Sequence, residues 1–127
     1  KKGAVDCIAS HHLPQNWDNK ICEFEYAKNG MISLQTAFAS VLTCMSSMNA
    51  TEVAQLFSLN ARKIFGLPAA TISEGAEADI TLFSMNTENV FEKENIKSKS
   101  HNSPYIGRLL KGNVRGIFTK GKLILNK

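Results

Sequence analysis

Asp6-Cys-Ile-Ala-Ser-His-His-Leu-Pro-Gln15 is the stretch on which the reading of this chain turns. From Gly3 to Ser10 the side chains are mostly small or apolar, the composition of a short strand covered on both faces. The run stops at His11-His12, and Pro14 interrupts the backbone just beyond. α/β enzymes build active sites from polar, metal-competent groups at the carboxyl ends of such strands. A strand buried on both faces needs a neighbour on each edge, and the sequence offers no other parallel strand. The neighbours are expected from upstream sequence, the chain then being the tail of a longer protein, or from a second copy. A start at Lys1-Lys2 without Met suits the first of these.

Downstream, residues 11–33 read as a long irregular connection, with Pro14, Asn16, Asn19, Asn29 and Gly30 and a helical turn over Glu23 to Lys28. Ser33 is placed to cap a helix running to about Ser47. Its core stripe is Leu34, Ala37, Phe38, Val41, Leu42, Met45 and Met48. A second helix is expected from Asn49 or Thr51 through Phe57. A short third one, capped by Ser58 or Asn60, should end at Gly66 ahead of Pro68. Beyond Pro68 the pattern is β: a turn at Ser73-Glu-Gly75, a strand over Ala78 to Met85, and strands at Val114 to Phe118 and Lys122 to Leu125 around Lys120-Gly121. Asn86 to Gly112 reads as polar loop. The chain thus divides at residues 1–68 and 69–127, helices in the first part and sheet in the second.

Composition excludes several classes. With 127 residues, 43% hydrophobic and 20% charged, the chain suits one modest soluble domain. No apolar run approaches the ~18–20 residues that span a bilayer, so no membrane partner is expected. Three widely spaced cysteines without a CxxC argue against a disulfide framework and a zinc knuckle, and for a reducing cytoplasm. The net charge of +4 comes from twelve lysines and three arginines, dispersed rather than gathered on an aromatic-lined face. That pattern fits a solvated surface and no nucleic-acid partner.

Several short motifs, in order, resemble the carboxyl-terminal third of dihydroorotase, a cyclic amidohydrolase of the metal-dependent hydrolase group. Ile8-Ala-Ser-His-His-Leu-Pro-Gln15 is similar to its Ser/Thr-Asp-His-Ala-Pro-His signature. Lys20 and Glu23-Phe-Glu-Tyr-Ala27 resemble the segment after it, and Gly30-Met-Ile-Ser-Leu-Gln-Thr36 the family's Gly-x-x-Gly-Leu-Glu-Thr. Asn60-Ala-Arg-Lys-Ile-Phe-Gly-Leu67 is similar to Asn-Pro-Ala-x-Ile-Phe-Gly-Leu, and Gly75-Ala-Glu-Ala-Asp-Ile80 to Gly-x-x-Ala-Asp-Leu. Ser98-Lys-Ser-His-Asn-Ser-Pro-Tyr-Ile-Gly107 resembles Ser-Lys-x-x-Asn-Thr-Pro-Phe-x-Gly. The resemblance implies an α/β-plus-β fold. It comprises the last strand and closing helices of a (β/α)8 barrel, then strands of a small β-sandwich.

It also implies chemistry: interconversion of dihydroorotate and carbamoyl aspartate in pyrimidine synthesis, with zinc activating a bound water in the full-length enzyme. In the family a carboxylate at the strand end helps hold the metal and carries the proton, and a histidine four residues on binds the substrate carboxylate. Here these positions are His11 and Gln15. Imidazole can ligate zinc or act as a base but brings no negative charge, and glutamine cannot pair a carboxylate as a cation. A degenerate site is therefore expected, with His11 the candidate catalytic and metal residue and Gln15 the candidate substrate contact. The chain alone is expected to be inactive and to bind no zinc. The alternatives are a non-catalytic scaffold that partners aspartate transcarbamoylase, or a hydrolase for another cyclic amide such as allantoin or a hydantoin. A homo-oligomer is expected in any of these cases.

Plainer readings stand beside these. In extended backbone His11 and His12 would face opposite ways, leaving His12 structural. Asp6 lies roughly 13 Å upstream, too deep to replace a base at the tip. Glu23 and Glu25 suit a solvated face, Trp17 and Tyr26 loop packing or a pocket wall, and Cys7 and Cys22 packing. His101, Asn102 and Tyr105 occupy a Pro/Gly-bounded loop that either nears the pocket or only connects strands.

Overall fold

The computed structural model describes residues 3–69 and 71–126. Three short helices come first: α1 (Ala37–Cys44), α2 (Ala50–Ala54) and α3 (Asn60–Ile64). A three-stranded antiparallel sheet comes next, β1 (Ile80–Val90), β2 (Leu109–Thr119) and β3 (Lys122–Leu125), in that spatial order. The helical first part and the sheet-bearing second part agree with the sequence pattern.

The expected strand at Gly3 to Ser10 does not form. This segment has no ladder partner and is tied instead by the Ile8 amide donating to Leu56 O at 2.9 Å. A parallel strand exists only through its neighbours' hydrogen bonds, so without them an apolar run stays irregular. The connection after it is irregular as expected. It holds one 3-10 turn, Trp17–Asn19, and a turn in which Tyr26 and Ala27 donate to Glu23 O.

Helix α1 is shorter than its apolar stripe. Ser33 O accepts the amides of Thr36 and Ala37, so residues 33–36 make a turn and Thr36 becomes the N-cap without a side-chain bond. Leu34 is left 66% exposed and Met45 37% exposed, so neither joins the core as expected, whereas Leu42 and Met48 are buried. Asn49 does cap α2: its side chain accepts the Glu52 amide while Glu52 Oε2 accepts the Asn49 amide, each at 2.9 Å.

No break separates the second and third helices, so neither Ser58 nor Asn60 is a cap. A π-turn over Gln55–Leu59 joins them, and the Asn60 amide reaches back to Gln55 O. Leu56 O, released from the α-helical pattern, is the acceptor for Ile8. The Asn60 side chain donates to Asp6 O at 2.7 Å. The widened turn thus grips the backbone that leads to His11. The helix ends where expected. Gly66 takes a φ of +65°, its amide points to Lys63 O and the Leu67 amide donates to Arg62 O at 2.8 Å, closing a Schellman cap.

β1 and β2 each extend into the stretch read as loop, Asn86 to Gly112. Glu88, Asn89 and Val90 pair with Lys111, Leu110 and Leu109. Polarity misleads there because most of that strand's side chains lie in solvent. A bulge between Ser84 and Glu88 absorbs the register shift, and the Ser84 and Thr87 hydroxyls bond across it at 2.7 Å. The Lys120-Gly121 hairpin forms as expected, with φ of +49° and +71°, the signature of a type I′ turn.

Leu42, Met48 and Val53 form the buried centre, with Phe38, Val41, Leu56, Phe57 and Met85 packed on it. Phe38 meets Phe57 and Phe83 edge-on at 6.1 and 5.1 Å between ring centres. α1 lies on β2 at Gly112, where a Cβ would sit 2.5 Å from Leu42 Cδ1 and 3.0 Å from Phe38 Cε1. Much apolar surface stays uncovered, including Phe24 at 96% and Ile72 at 89% exposure.

Candidate functional site

The tip of the opening segment is set by backbone. His11 adopts a φ of +48°, a left-handed conformation uncommon outside glycine and asparagine, so strand alternation does not place its side chain. Its imidazole is exposed, while His12 is half-buried. His12 Nδ1 accepts the amides of Ser33 and Leu34, each at 3.1 Å. Those amides open the turn before α1 and lack helical acceptors, so the imidazole serves as their cap. An accepting Nδ1 leaves the ring proton on Nε2. The structural reading of His12 is thus the one observed. Ser33, expected to cap the helix with its side chain, instead donates Oγ to Ser10 O at 2.5 Å.

Gln15 is half-buried and its amide group is already engaged. Nε2 donates to Asn29 O at 3.0 Å, and Oε1 lies 3.5 Å from Asn19 Nδ2. One N–H of the amide remains for a ligand. The loop after β1 closes over this region. Ser100 Oγ is 2.6 Å from Gln15 O and also contacts Asn102 Oδ1. Asn102 Nδ2 donates to Gly30 O at 2.9 Å, and Asn102 O accepts the Ile32 amide at 3.0 Å. Nearby, Gln35 bridges Asn95 O and the Lys97 amide. Two segments some 70–85 residues apart are therefore laced by side chain-to-backbone bonds.

Between them lies an open groove of about 850 Å³, lined by Gln15, Trp17, Lys20, Lys99, His101 and Asn102 among others. Of the two sequence candidates Gln15 lines this groove and His11 does not. His101 and Asn102 belong to it, so their loop does approach the pocket. Tyr105 is not among its walls, and Asp6 is exposed and held only through its carbonyl by Asn60. Sequence reasoning missed Ser100, Lys99 and Ser33 as parts of the site. Ser100 and Lys99 were visible only as members of the Ser-Lys-x-x-Asn motif. A second hollow of about 540 Å³ separates Gln35 and Phe38 from Asn89 and Asn113, and it holds none of the candidates.

The donors at hand do not make a zinc site. Among the described residues no three His, Cys, Asp or Glu side chains converge, and His12 Nδ1 is spent on two amides. A tetrahedral zinc needs three or four such ligands. His11 by itself does not fit that requirement.

Against known proteins, a profile of the amidohydrolase family matches residues 11–124. The chain is 40% identical over 128 residues to a dihydroorotase of Elusimicrobium minutum, covering 98% of this chain and 30% of that protein. It is 35% identical to a dihydroorotase of Aquifex aeolicus, again over 98% of this chain and 30% of the relative. Among solved structures, D-hydantoinase from Thermus sp. superposes with a TM-score of 0.76 at 19% identity, over 95% of this chain and 28% of that one. Dihydropyrimidinase from Brevibacillus agri gives 0.76 at 20% identity, over 94% and 28%. The chain spans about 30% of the length of the curated relatives it matches. A profile that takes in nearly all of the sequence, from His11 into the last strand of the sheet, shows that this chain belongs to the amidohydrolase family.

Proposed function

We propose that this chain is the carboxyl-terminal portion of a dihydroorotase-like amidohydrolase: the last barrel strand and closing helices at 1–68, then sandwich strands at 69–127. The supporting observation is the match to dihydroorotases over 96–100% of the chain, at 33–40% identity. On this reading the longer protein has the architecture of an enzyme for a small cyclic amide, the interconversion of dihydroorotate and carbamoyl aspartate with zinc held mainly by upstream ligands, but its site is degenerate. Three free cysteines among the described residues fit a cytoplasmic setting. The uncovered side chains of Phe24, Phe65 and Ile72 suit burial against the rest of such a protein or a second copy.

The chain's own residues argue for a compromised site. His11, at the family's carboxylate position, offers an exposed neutral or cationic ring where the chemistry calls for an anion that can relay a proton. Gln15 can give one hydrogen bond to a substrate carboxylate and no charge. His12 and Ser33 hold the tip in place through Ser10 and the turn before α1.

The test compares intact protein with the His11→Asp, Gln15→His double variant for zinc content and carbamoyl aspartate turnover. Wild type should show no measurable turnover, and the variant should gain it. Stoichiometric zinc with turnover in the wild type would sink the degenerate-site reading. The second reading, a non-catalytic partner of aspartate transcarbamoylase, is favoured by the same two substitutions. It predicts co-purification with that enzyme and no gain in the variant.

A further inference from the structure

Asn29-Gly30 is the chain's one Asn-Gly pair, and the fold leaves it chemically open. Four asparagines precede a glycine, alanine or serine, where a small neighbour lets the next amide approach the side chain: Asn29, Asn49, Asn60 and Asn102. Three of these side chains are engaged. Asn49 Oδ1 accepts the Glu52 amide at 2.9 Å, and Asn60 Nδ2 donates to Asp6 O at 2.7 Å. Asn102 Nδ2 donates to Gly30 O at 2.9 Å, and its Oδ1 contacts Ser100 Oγ. Asn29 is exposed, and among the described residues its side chain has no partner and the Gly30 amide has no acceptor.

The glycine is dictated by the fold. Gly30 has a φ of +122°, and a Cβ there would sit 2.6 Å from Leu13 O and 2.9 Å from Leu13 Cδ2. A bulkier residue, which would hinder attack by the amide, is therefore shut out. Nothing comparable fixes the asparagine. It is tied through its carbonyl, Asn29 O accepting Gln15 Nε2 at 3.0 Å. Asparagine is among the thermally labile side chains, and here the lability is unprotected.

We infer that Asn29 is a site of spontaneous covalent modification, with water as the only co-reactant. The Gly30 nitrogen attacks Asn29 Cγ. The N–Cγ bond forms, the Cγ–Nδ2 bond breaks, and ammonia leaves with the Gly30 proton. Water then opens the cyclic imide. Cleavage at Cγ leaves an aspartate. Cleavage between the Asn29 carbonyl carbon and the Gly30 nitrogen leaves an isoaspartate, whose backbone runs through Cγ. Either product adds a negative charge to the loop. The isoaspartate also inserts a methylene into the backbone between the two residues whose carbonyls hold Gln15 and Asn102, so Asn29 O and Gly30 O no longer serve both. The modification thus unties Gln15 and the Asn102 loop together, whether or not the longer protein hydrolyses a cyclic amide.

The test incubates intact protein at neutral pH, native and in urea, and follows each asparagine by peptide mass spectrometry. In the native protein Asn29 should convert, in part to isoaspartate, at least about tenfold faster than Asn102, whose side chain must first give up a hydrogen bond. Urea should speed Asn102 and leave Asn29 nearly unchanged. Amide exchange at Leu13 and Ile32, which donate to Met31 O and Asn102 O, should then quicken in aged wild type. It should not quicken in Asn29→Gln aged alongside, because the longer side chain closes its ring poorly. Asn29 surviving native incubation, converting no faster than Asn102, or gaining as much from urea as Asn102 does would each overturn the site. Conversion that leaves exchange at Leu13 and Ile32 unaltered would overturn its coupling to the loop.

Discussion

The β2–β3 hairpin and the 11–36 connection both reverse the chain, by opposite means. The hairpin needs two residues, Lys120 and Gly121, each at positive φ, and its register is set by Thr119 opposite Lys122. Everything that determines it lies within a few residues. The connection takes more than twenty residues and has no ladder of its own. His12 is capped onto Ser33 and Leu34, Ser10 onto Ser33, and Gly30 and Ile32 onto Asn102, 70 residues downstream. Turns of the first kind are encoded locally. Those of the second kind exist only after distant parts of the chain have met, and they are what brings Gln15, Trp17 and Lys99 around one groove.

The contrast is most vulnerable at Gly112, where the locally encoded sheet turns out to depend on a tertiary contact. Gly112→Ala must accept a φ of +94° and a Cβ 2.5 Å from the buried Leu42 Cδ1. It should cost about 3 kcal/mol, as strain and overpacking together. A urea midpoint lowered by much less would show that α1 can ride up on β2. Next in size is Asn102→Ala, which removes the Gly30 contact and the Ser100 contact at once. A loss of about 1–2 kcal/mol is expected, confined to the connection. Amide exchange should quicken at Leu13 and Ile32 while the β2–β3 ladder keeps its protection; equal loss in both would erase the difference between the two reversals. The smallest change concerns the hairpin. Lys120→Asn places a residue tolerant of left-handed backbone at the first turn position and should raise stability by about 0.5 kcal/mol. An unchanged or lowered midpoint would mean that the turn is not what sets the hairpin.

Legibility obeyed the same division. The Asn49 cap, the stop at Gly66, the Lys120-Gly121 turn and the family motifs could all be read from the residues, because each is a signal carried by close neighbours. Asn86 to Val90 could not, since pairing with Leu109 to Lys111 is long-range and the side chains are polar on an exposed strand. Leu34 fell outside the core because the turn at 33–36 delays α1, which periodicity alone does not reveal. At the site, the tip residues were legible by type, yet the roles were assigned by contact. His12 caps a turn, Gln15 is tied into a loop, and His11 stands in solvent away from the groove.

Residue order alone was enough for the helix-then-sheet succession, for the Asn49 cap, the stop at Gly66 and the Lys120-Gly121 turn, and for the family. Folding had to supply the rest: residues 3–10 stay out of any sheet, a π-turn grips Asp6 and Ile8, and Gln15, Lys93 and Lys99 come to line one groove whose lining holds no carboxylate. The physical reason is range. Caps and turns are settled by the conformational preferences of a few adjacent residues. Ladders, grooves and the sum of several charges require partners that the chain brings together only on folding.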